Sequence, residues 1–222
     1  MRRWSLVIRE FSGIEIITSF GATHTELVRF VQERESWLRE KIEKHLTGAP
    51  PFVPTFAAGE RFPFLGAWLT LSPKITPLAR SFVKIEGDRL CVYIPEQDWL
   101  SRDRETPDLV RQFYIQQADK VLQERLNLWS GEMLLKPEKV IIKTVKSRWG
   151  SLNSRKKLLL NRKLVLAPRE VVDSVVVHEL AHLRHFDHSK NFWALVTQFS
   201  PQHRLHSQWL QQNRHLFHHP WF

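Results

Sequence analysis

Apolar positions along this chain change their period several times, and each change marks a predicted element. Residues 4–20 alternate imperfectly and hold Ile14, Ile16 and Ile17, which predicts a short hairpin. From 25 to 46, Leu27, Val28, Val31, Trp37, Leu38, Ile42 and Leu46 recur at roughly helical spacing among charges four apart. That pattern predicts one long helix, ended by Gly48-Ala49-Pro50-Pro51. Between 56 and 94, short apolar runs alternate with turn residues. Phe64-Leu65-Gly66 and the runs 68–71, 82–85 and 90–94 read as strands of a small antiparallel sheet.

Residues 95–107 are polar and form the expected connection between two parts, 1–100 and 101–222. Beyond it, helical spacing returns over 108–130 through Leu109, Phe113, Ala118, Val121, Leu122, Leu126 and Trp129. A strand is predicted over 139–145, a turn-rich segment over 147–153, and another strand over 158–166. Pro168 then sits where a proline favours the first turn of a helix, and Glu170 and Asp173 suit its positive end. The helix runs through Val175-Val176-Val177 into His178. Valine is a mediocre helix former, so burial must hold this segment. Further helices are predicted over 190–199 and roughly 205–216. The fold class is therefore α+β. A β-rich N-terminal part with one long helix precedes a C-terminal part in which the His178 helix packs on a sheet.

The candidate chemistry lies in His178-Glu179-Leu180-Ala181-His182. Two histidines four apart share one helix face, and their imidazoles can converge on one zinc ion. Glu179 is poorly placed to ligate the same ion but can reach a water on it. Zinc lowers the pKa of that water to about 7, so a carboxylate can take its proton at neutral pH. After Glu179 the chain has no glutamate, which excludes a third ligand of that type. Asp187 and the histidines 185, 188, 203, 206, 215, 218 and 219 remain. His185 continues the stripe of His178 and His182, and three ligands along one straight helix make a poor tripod. A turn at Phe186-Asp187 would swing His188 back to the metal, so His188 is the preferred third ligand. The other downstream histidines read as a solvated surface and tail.

Charge and cysteine content narrow the setting. The formal net charge is +10, which favours anionic partners such as nucleic acid or nucleotides. Arg155-Lys156-Lys157 and Arg162-Lys163 are local clusters, without the interleaved aromatics of a single-strand stacking platform. The one cysteine excludes an internal disulfide framework and a cysteine-rich zinc site. A reducing, cytoplasmic setting is expected. No apolar stretch is long enough to span a membrane. The apolar run after Arg2-Arg3 stops at Arg9-Glu10, too soon for a signal peptide.

The blocks around the histidines are similar to a known family. They are Ser147-Arg148-Trp149-Gly150-Ser151, the run 160–168, Val176 to His182, Asp187-His188-Ser189 and Phe192-Trp193. They resemble the YgjP-like metallopeptidases, relatives of the SprT and Spartan proteases. Upstream, Trp37-Leu38, Gly59-Glu60, Leu65-Gly66, Phe113-Tyr114 and Ala118 also fit, so the resemblance spans nearly the whole chain. Leu152 stands where that family often has cysteine. The resemblance implies a zincin-like C-terminal domain, His178, His182 and His188 on zinc, and Glu179 as catalytic base. It implies a peptide or protein substrate, and a nucleotide phosphohydrolase activity has also been attached to the family. Arg148 is a second candidate catalytic residue, because its fork suits a substrate carboxylate, a phosphate or an oxyanion. Asn161 could orient a ligand histidine or cap a turn. A nucleic-acid-binding protein with a structural zinc is the non-enzymatic reading, and it would need a fourth protein ligand.

Overall fold

The imperfect alternation at the start of the chain pairs into an antiparallel hairpin. In the computed structural model, which describes residues 5–9, 13–17, 21–46, 51–146, 148–218 and 221, its strands are β1 (Ser5–Arg9) and β2 (Gly13–Ile17), with Leu6 opposite Ile16. The expected long helix is two helices, α1 (His24–Gln32) and α2 (Glu35–Leu46). Thr23 and Glu26 form a reciprocal capping box that starts α1. At its end Arg34 N donates to Val31 O, a bond that tightens the last turn without any glycine or proline. None of the side chains of α1 is buried, so local hydrogen bonds rather than a core set its limits. These elements belong to one compact unit, Met1–Ala49, and Pro50–Phe222 is a second. The breaker Gly48-Ala49-Pro50 lies outside the described residues.

The second unit begins with a four-stranded sheet ordered β3-β4-β6-β5, made of β3 (Arg61–Phe64), β4 (Ala67–Thr76), β5 (Phe82–Glu86) and β6 (Arg89–Pro95). It is mixed rather than antiparallel. The chain crosses to the edge strand β5 first, and the hairpin back delivers β6 parallel to β4. Leu65 and Gly66 are the two turn residues between β3 and β4, both with positive φ (47° and 87°), as a two-residue hairpin loop demands. Strand β3 therefore stops at Phe64. Leu65 N donates to Val165 O at 2.7 Å, and Gly66 lies so close to Pro168 that a Cβ would approach its ring to 3.3 Å.

A 3₁₀ turn (Glu96–Ser101) leads into α3 (Arg102–Met133), and together they fill nearly all of the expected connection. Pro107 lies in the second turn of α3, where its missing N–H costs one bond near the helix start. This helix packs on the sheet that precedes the boundary expected at residue 100, and both lie in the unit Pro50–Phe222. Val110, Phe113, Tyr114 and Ala118 share one core with Phe62, Leu71, Leu90 and Ile94 of the sheet. Tyr114 also donates to Pro63 O at 3.0 Å. Farther along α3, Leu122, Leu126 and Met133 join a second core.

That second core carries the C-terminal sheet, ordered β7-β9-β8: β7 (Lys139–Lys143), β8 (Gly150–Leu152) and β9 (Lys157–Asn161). The predicted strand 158–166 ends at Asn161, whose side chain accepts from Lys163 N and starts a buried 3₁₀ turn, Arg162–Leu166. Helix α4 (Arg169–Ala181) follows, with Pro168 as its N-cap. It buries Val171, Val172, Val176, Val177, Leu180 and Ala181, which explains a valine-rich helix. Arg125 of α3 and Asp173 of α4 pair through two hydrogen bonds, 2.5 and 2.7 Å. Helix α5 (Lys190–Phe199) stands as predicted, and the last predicted helix is divided into α6 (His203–Gln212) and α7 (His215–His218). Among the described residues no helix is long and apolar enough to cross a membrane.

Candidate metal centre

Helix α4 ends one residue before His182, and that early ending creates the site. His178 lies in its last turn, and His182 is the C-cap. The N–H groups of Leu183, Arg184 and His185 turn back onto Leu180 and Ala181. The chain then bends at Phe186-Asp187, and Ser189 caps α5 by accepting from Phe192 N at 3.4 Å. Between these two helices His188 is carried back over α4. One ligand atom from each of His178, His182 and His188 lies within 4.8 Å of the others. His185 contributes its backbone instead. Its carbonyl lies 3.1 Å from His182 Nδ1. A carbonyl only accepts, so Nδ1 carries the proton and Nε2 keeps its lone pair for a metal.

The donor set fits a tetrahedral cation. His178 Nε2 and His188 Nε2 are 3.3 Å apart. Two nitrogens each about 2.0–2.1 Å from a tetrahedral zinc are separated by about 3.3–3.4 Å. Burial pushes the His178 imidazolium down to about 4, and the neighbouring His182 and His188 add to the shift. Burial likewise lowers His182. Both rings are therefore neutral at pH 7, as metal ligation requires. The buried Phe192 ring floors the cluster, with centroids 5.0, 4.5 and 4.8 Å from those of His178, His182 and His188. Trp193 is 38% exposed and stacks on His188 at 5.5 Å.

Glu179 lines the same cleft as His178 and lies beside the edge strand β8. It is only 7% exposed. Burial raises its carboxyl to about 7, while a backbone hydrogen bond from Leu152 and the charge of Arg148 pull the other way. Gly150 gives the Glu179 side chain its space here. A Cβ on it would lie 2.6–2.9 Å from Glu179 Cγ, Cδ and Oε1. The cleft in front of the carboxylate has a volume of about 320 Å³ and is lined by Arg148, Gly150, His178, Glu179, Trp193 and His203, among others.

Arg148 is exposed, and its backbone is fixed by Asn161. Asn161 touches no ligand histidine. Its Nδ2 donates to the carbonyls of Val145 and Arg148, at 2.9 and 2.8 Å, and its Oδ1 accepts from Val145 N and Lys163 N. The loop that presents Arg148 and Trp149 is thus held from below. Ser147 and His219 lie outside the described residues. Two residues read as solvated surface, His203 and His206, line the cleft instead. His203 stacks on Trp193 at 5.1 Å. The sequence carried a faint signal for this, since both occur three apart at the start of a predicted helix. The basic cluster Arg162-Lys163 is not an open patch. Arg162 pairs with Asp119 at 2.7 and 2.8 Å, and buried Lys163 donates to Phe217 O.

A histidine tripod beside a buried carboxylate is the constellation of a metallohydrolase. Comparison with known proteins refines that class: the chain belongs to the YgjP-like metallopeptidase family, whose metallopeptidase domain matches residues 2–213. No curated protein matches the sequence. Two similar solved structures are the metallopeptidase zymogens jannalysin of Methanocaldococcus jannaschii and abylysin of Pyrococcus abyssi. Each is 18% identical with a TM-score of 0.38. The matches cover 42% and 43% of this chain, and 96% and 98% of those chains.

Proposed function

We propose that this protein is a zinc-dependent peptidase of zincin type, with His178, His182 and His188 as the zinc ligands and Glu179 as the general base. The observation that carries the reading is the 3.3 Å approach of His178 Nε2 to His188 Nε2 beside a buried carboxylate. When bound there, zinc supplies Lewis-acid chemistry, acidifying water and polarising a carbonyl. The chain's own residues do the rest. Glu179, with a carboxyl near 7, accepts a proton from the attacking water and returns it to the leaving amine. Gly150 leaves room for that carboxylate. Phe192 excludes water from below, and Arg148 supplies a fixed positive charge at the mouth of the cleft. Among the described residues only three candidate ligands converge, which leaves a coordination position for reacting groups. A structural zinc uses four protein ligands.

The test compares zinc-loaded wild type with Glu179→Gln on a peptide library and a panel of nucleoside triphosphates. The expected result is peptide cleavage that falls about 10²–10⁴-fold in the variant. Equal activity of the two proteins would overturn the role of Glu179. Glu179-dependent turnover confined to triphosphates would overturn the peptidase reading.

A further inference from the structure

Three helices close on the cleft, and each turns one face to it. Val171, Val175 and His178 recur at helical spacing along α4, and His203, Ser207 and Leu210 do so along α6. Trp193 and Val196, three apart, come from α5. The lining beyond His178 is therefore largely apolar. It is also anchored from behind. Val171 and Leu210 are buried members of one core and Val196 of the other, so packing fixes the walls. Two of the polar side chains on the lining are turned to partners in the protein. Ser200 Oγ donates to Ser174 Oγ at 3.0 Å, and His203 Nε2 lies 3.3 Å from Thr197 Oγ1. Among the described residues, the carboxylate on the lining is Glu179, at the reacting centre, and the guanidinium is that of Arg148, which is exposed. A charged side chain sent into this cavity would lose its water against valine, leucine and indole.

His178 and Glu179 line the same cavity as these apolar walls. A side chain seated among Val171, Val175, Trp193 and Leu210 therefore belongs to a residue beside the reacting carbonyl, not to a remote part of the substrate. A second cavity, of about 300 Å³, meets the first at Gly150 and Glu179 and is lined by β8, His182 and Phe186. Its large apolar side chains are Leu152 and Phe186, and Phe186 is 60% exposed. A peptide that crosses Glu179 thus meets unlike surroundings on its two sides. We infer that the cavity between α4, α5 and α6 is a specificity pocket for a large apolar side chain, leucine or an aromatic, on one side of the scissile bond. The other side of the bond is permissive. A volume of about 320 Å³ lies at the small end of ligand sites, about 300–1,000 Å³. It suits one large side chain with its adjoining backbone. The inference rests on the peptidase reading above and adds to it the class of substrate.

The experiment uses the full-length zinc-loaded protein and end-blocked alanine-based hexapeptides in which each position in turn is Ala, Leu, Phe, Glu or Lys, with the cleaved bond read by mass spectrometry. Leucine or phenylalanine on one side of that bond is expected to raise kcat/KM over alanine by about 10–100-fold, because each methylene buried in an apolar pocket contributes several-fold. Glutamate and lysine there are expected to fall below alanine, and substitutions on the other side to change the rate little. Ser207 lines the cavity from an exposed position. Ser207→Trp fills the cavity without opening the core and is expected to invert the order, with alanine above phenylalanine. Val175→Ala widens it and is expected to shift the preference towards larger rings such as tryptophan, which keeps the test sound if the bulky variant disturbs folding. Calorimetry with Glu179→Gln protein reads binding without turnover. The Phe peptide is expected to bind more tightly than the Ala peptide, with a more negative heat-capacity change. Equal kcat/KM for Leu, Phe and Ala on both sides of the bond, with cleavage dependent on Glu179, would overturn the pocket and leave the peptidase reading standing. Tighter calorimetric binding of the Phe peptide without cleavage of any peptide by wild type would keep the pocket and overturn the peptidase reading. Neither binding nor cleavage of any peptide would overturn both.

Discussion

At the scale of single residues, burial keeps one carboxylate dry and two imidazoles neutral, which the proposed chemistry requires. Arg148 tunes the carboxylate. Its charge lowers the Glu179 carboxyl against the larger upward push of burial. A base works only when deprotonated, so with Glu179 as the proposed base activity is expected to be lost as pH falls through this pKa. Removing the Arg148 charge raises the pKa, and Arg148→Gln is expected to move the acidic limb of the kcat/KM profile to higher pH. An unmoved limb would show that Arg148 does not act on Glu179. The histidines make an equally specific prediction. His188→Ala is expected to lose zinc on dialysis, because it removes one leg of the tripod. His185→Ala is expected to keep it, since His185 meets His182 through its backbone carbonyl, which alanine retains. Metal content by atomic absorption decides between them, and loss of zinc from His185→Ala alone would move the third ligand.

At the scale of elements, two short devices place the chemistry. One is the early end of α4 followed by a bend, which brings back His188. The other is Asn161 at the end of β9, whose side chain holds the loop of Val145 and Arg148 by three hydrogen bonds and caps the following 3₁₀ turn by a fourth. Asn161 is 2% exposed. Asn161→Ala removes the partners of two loop carbonyls and is expected to cost about 1–3 kcal/mol of stability, read by denaturant unfolding. Much of this was readable from the chain. The valine run into His178 announced a buried helix, and α5 falls on its predicted span. The failures have two causes. Edge strand β8 is three residues long, too short for alternation to register, and it borrows its definition from pairing with β9. Helix α3 was shortened because a proline and several charges in its first two turns look like a connection; the proline removes one backbone bond, and the packing of Val110, Phe113 and Tyr114 just beyond it holds the helix.

At the scale of the whole molecule, α3 matters most. It runs from the core of the first large sheet to the core beneath α4, so the sheet of residues 61–95 is part of the fold that carries the site. A fragment of residues 51–222 is expected to unfold cooperatively. One of residues 101–222 is expected to melt without cooperativity, because it loses Phe62, Leu69, Leu71, Leu90 and Ile94 from a shared core. Circular dichroism on both fragments checks this, and a cooperative transition in the shorter one would place a boundary near residue 100.

The histidine pair with its intervening glutamate was fixed by sequence, because a helical repeat alone puts residues four apart on one face. The exclusion of a later glutamate and the preference for His188 came from the residue inventory and the turn between helices. Tertiary structure decided what spacing does not encode. It set the burial that holds Glu179 near neutrality, the space that Gly150 leaves for that side chain, and the placing of Val175, Trp193 and His203 around one cleft. These depend on segments distant in the chain meeting in space, and periodicity along one segment carries no information about which segments meet.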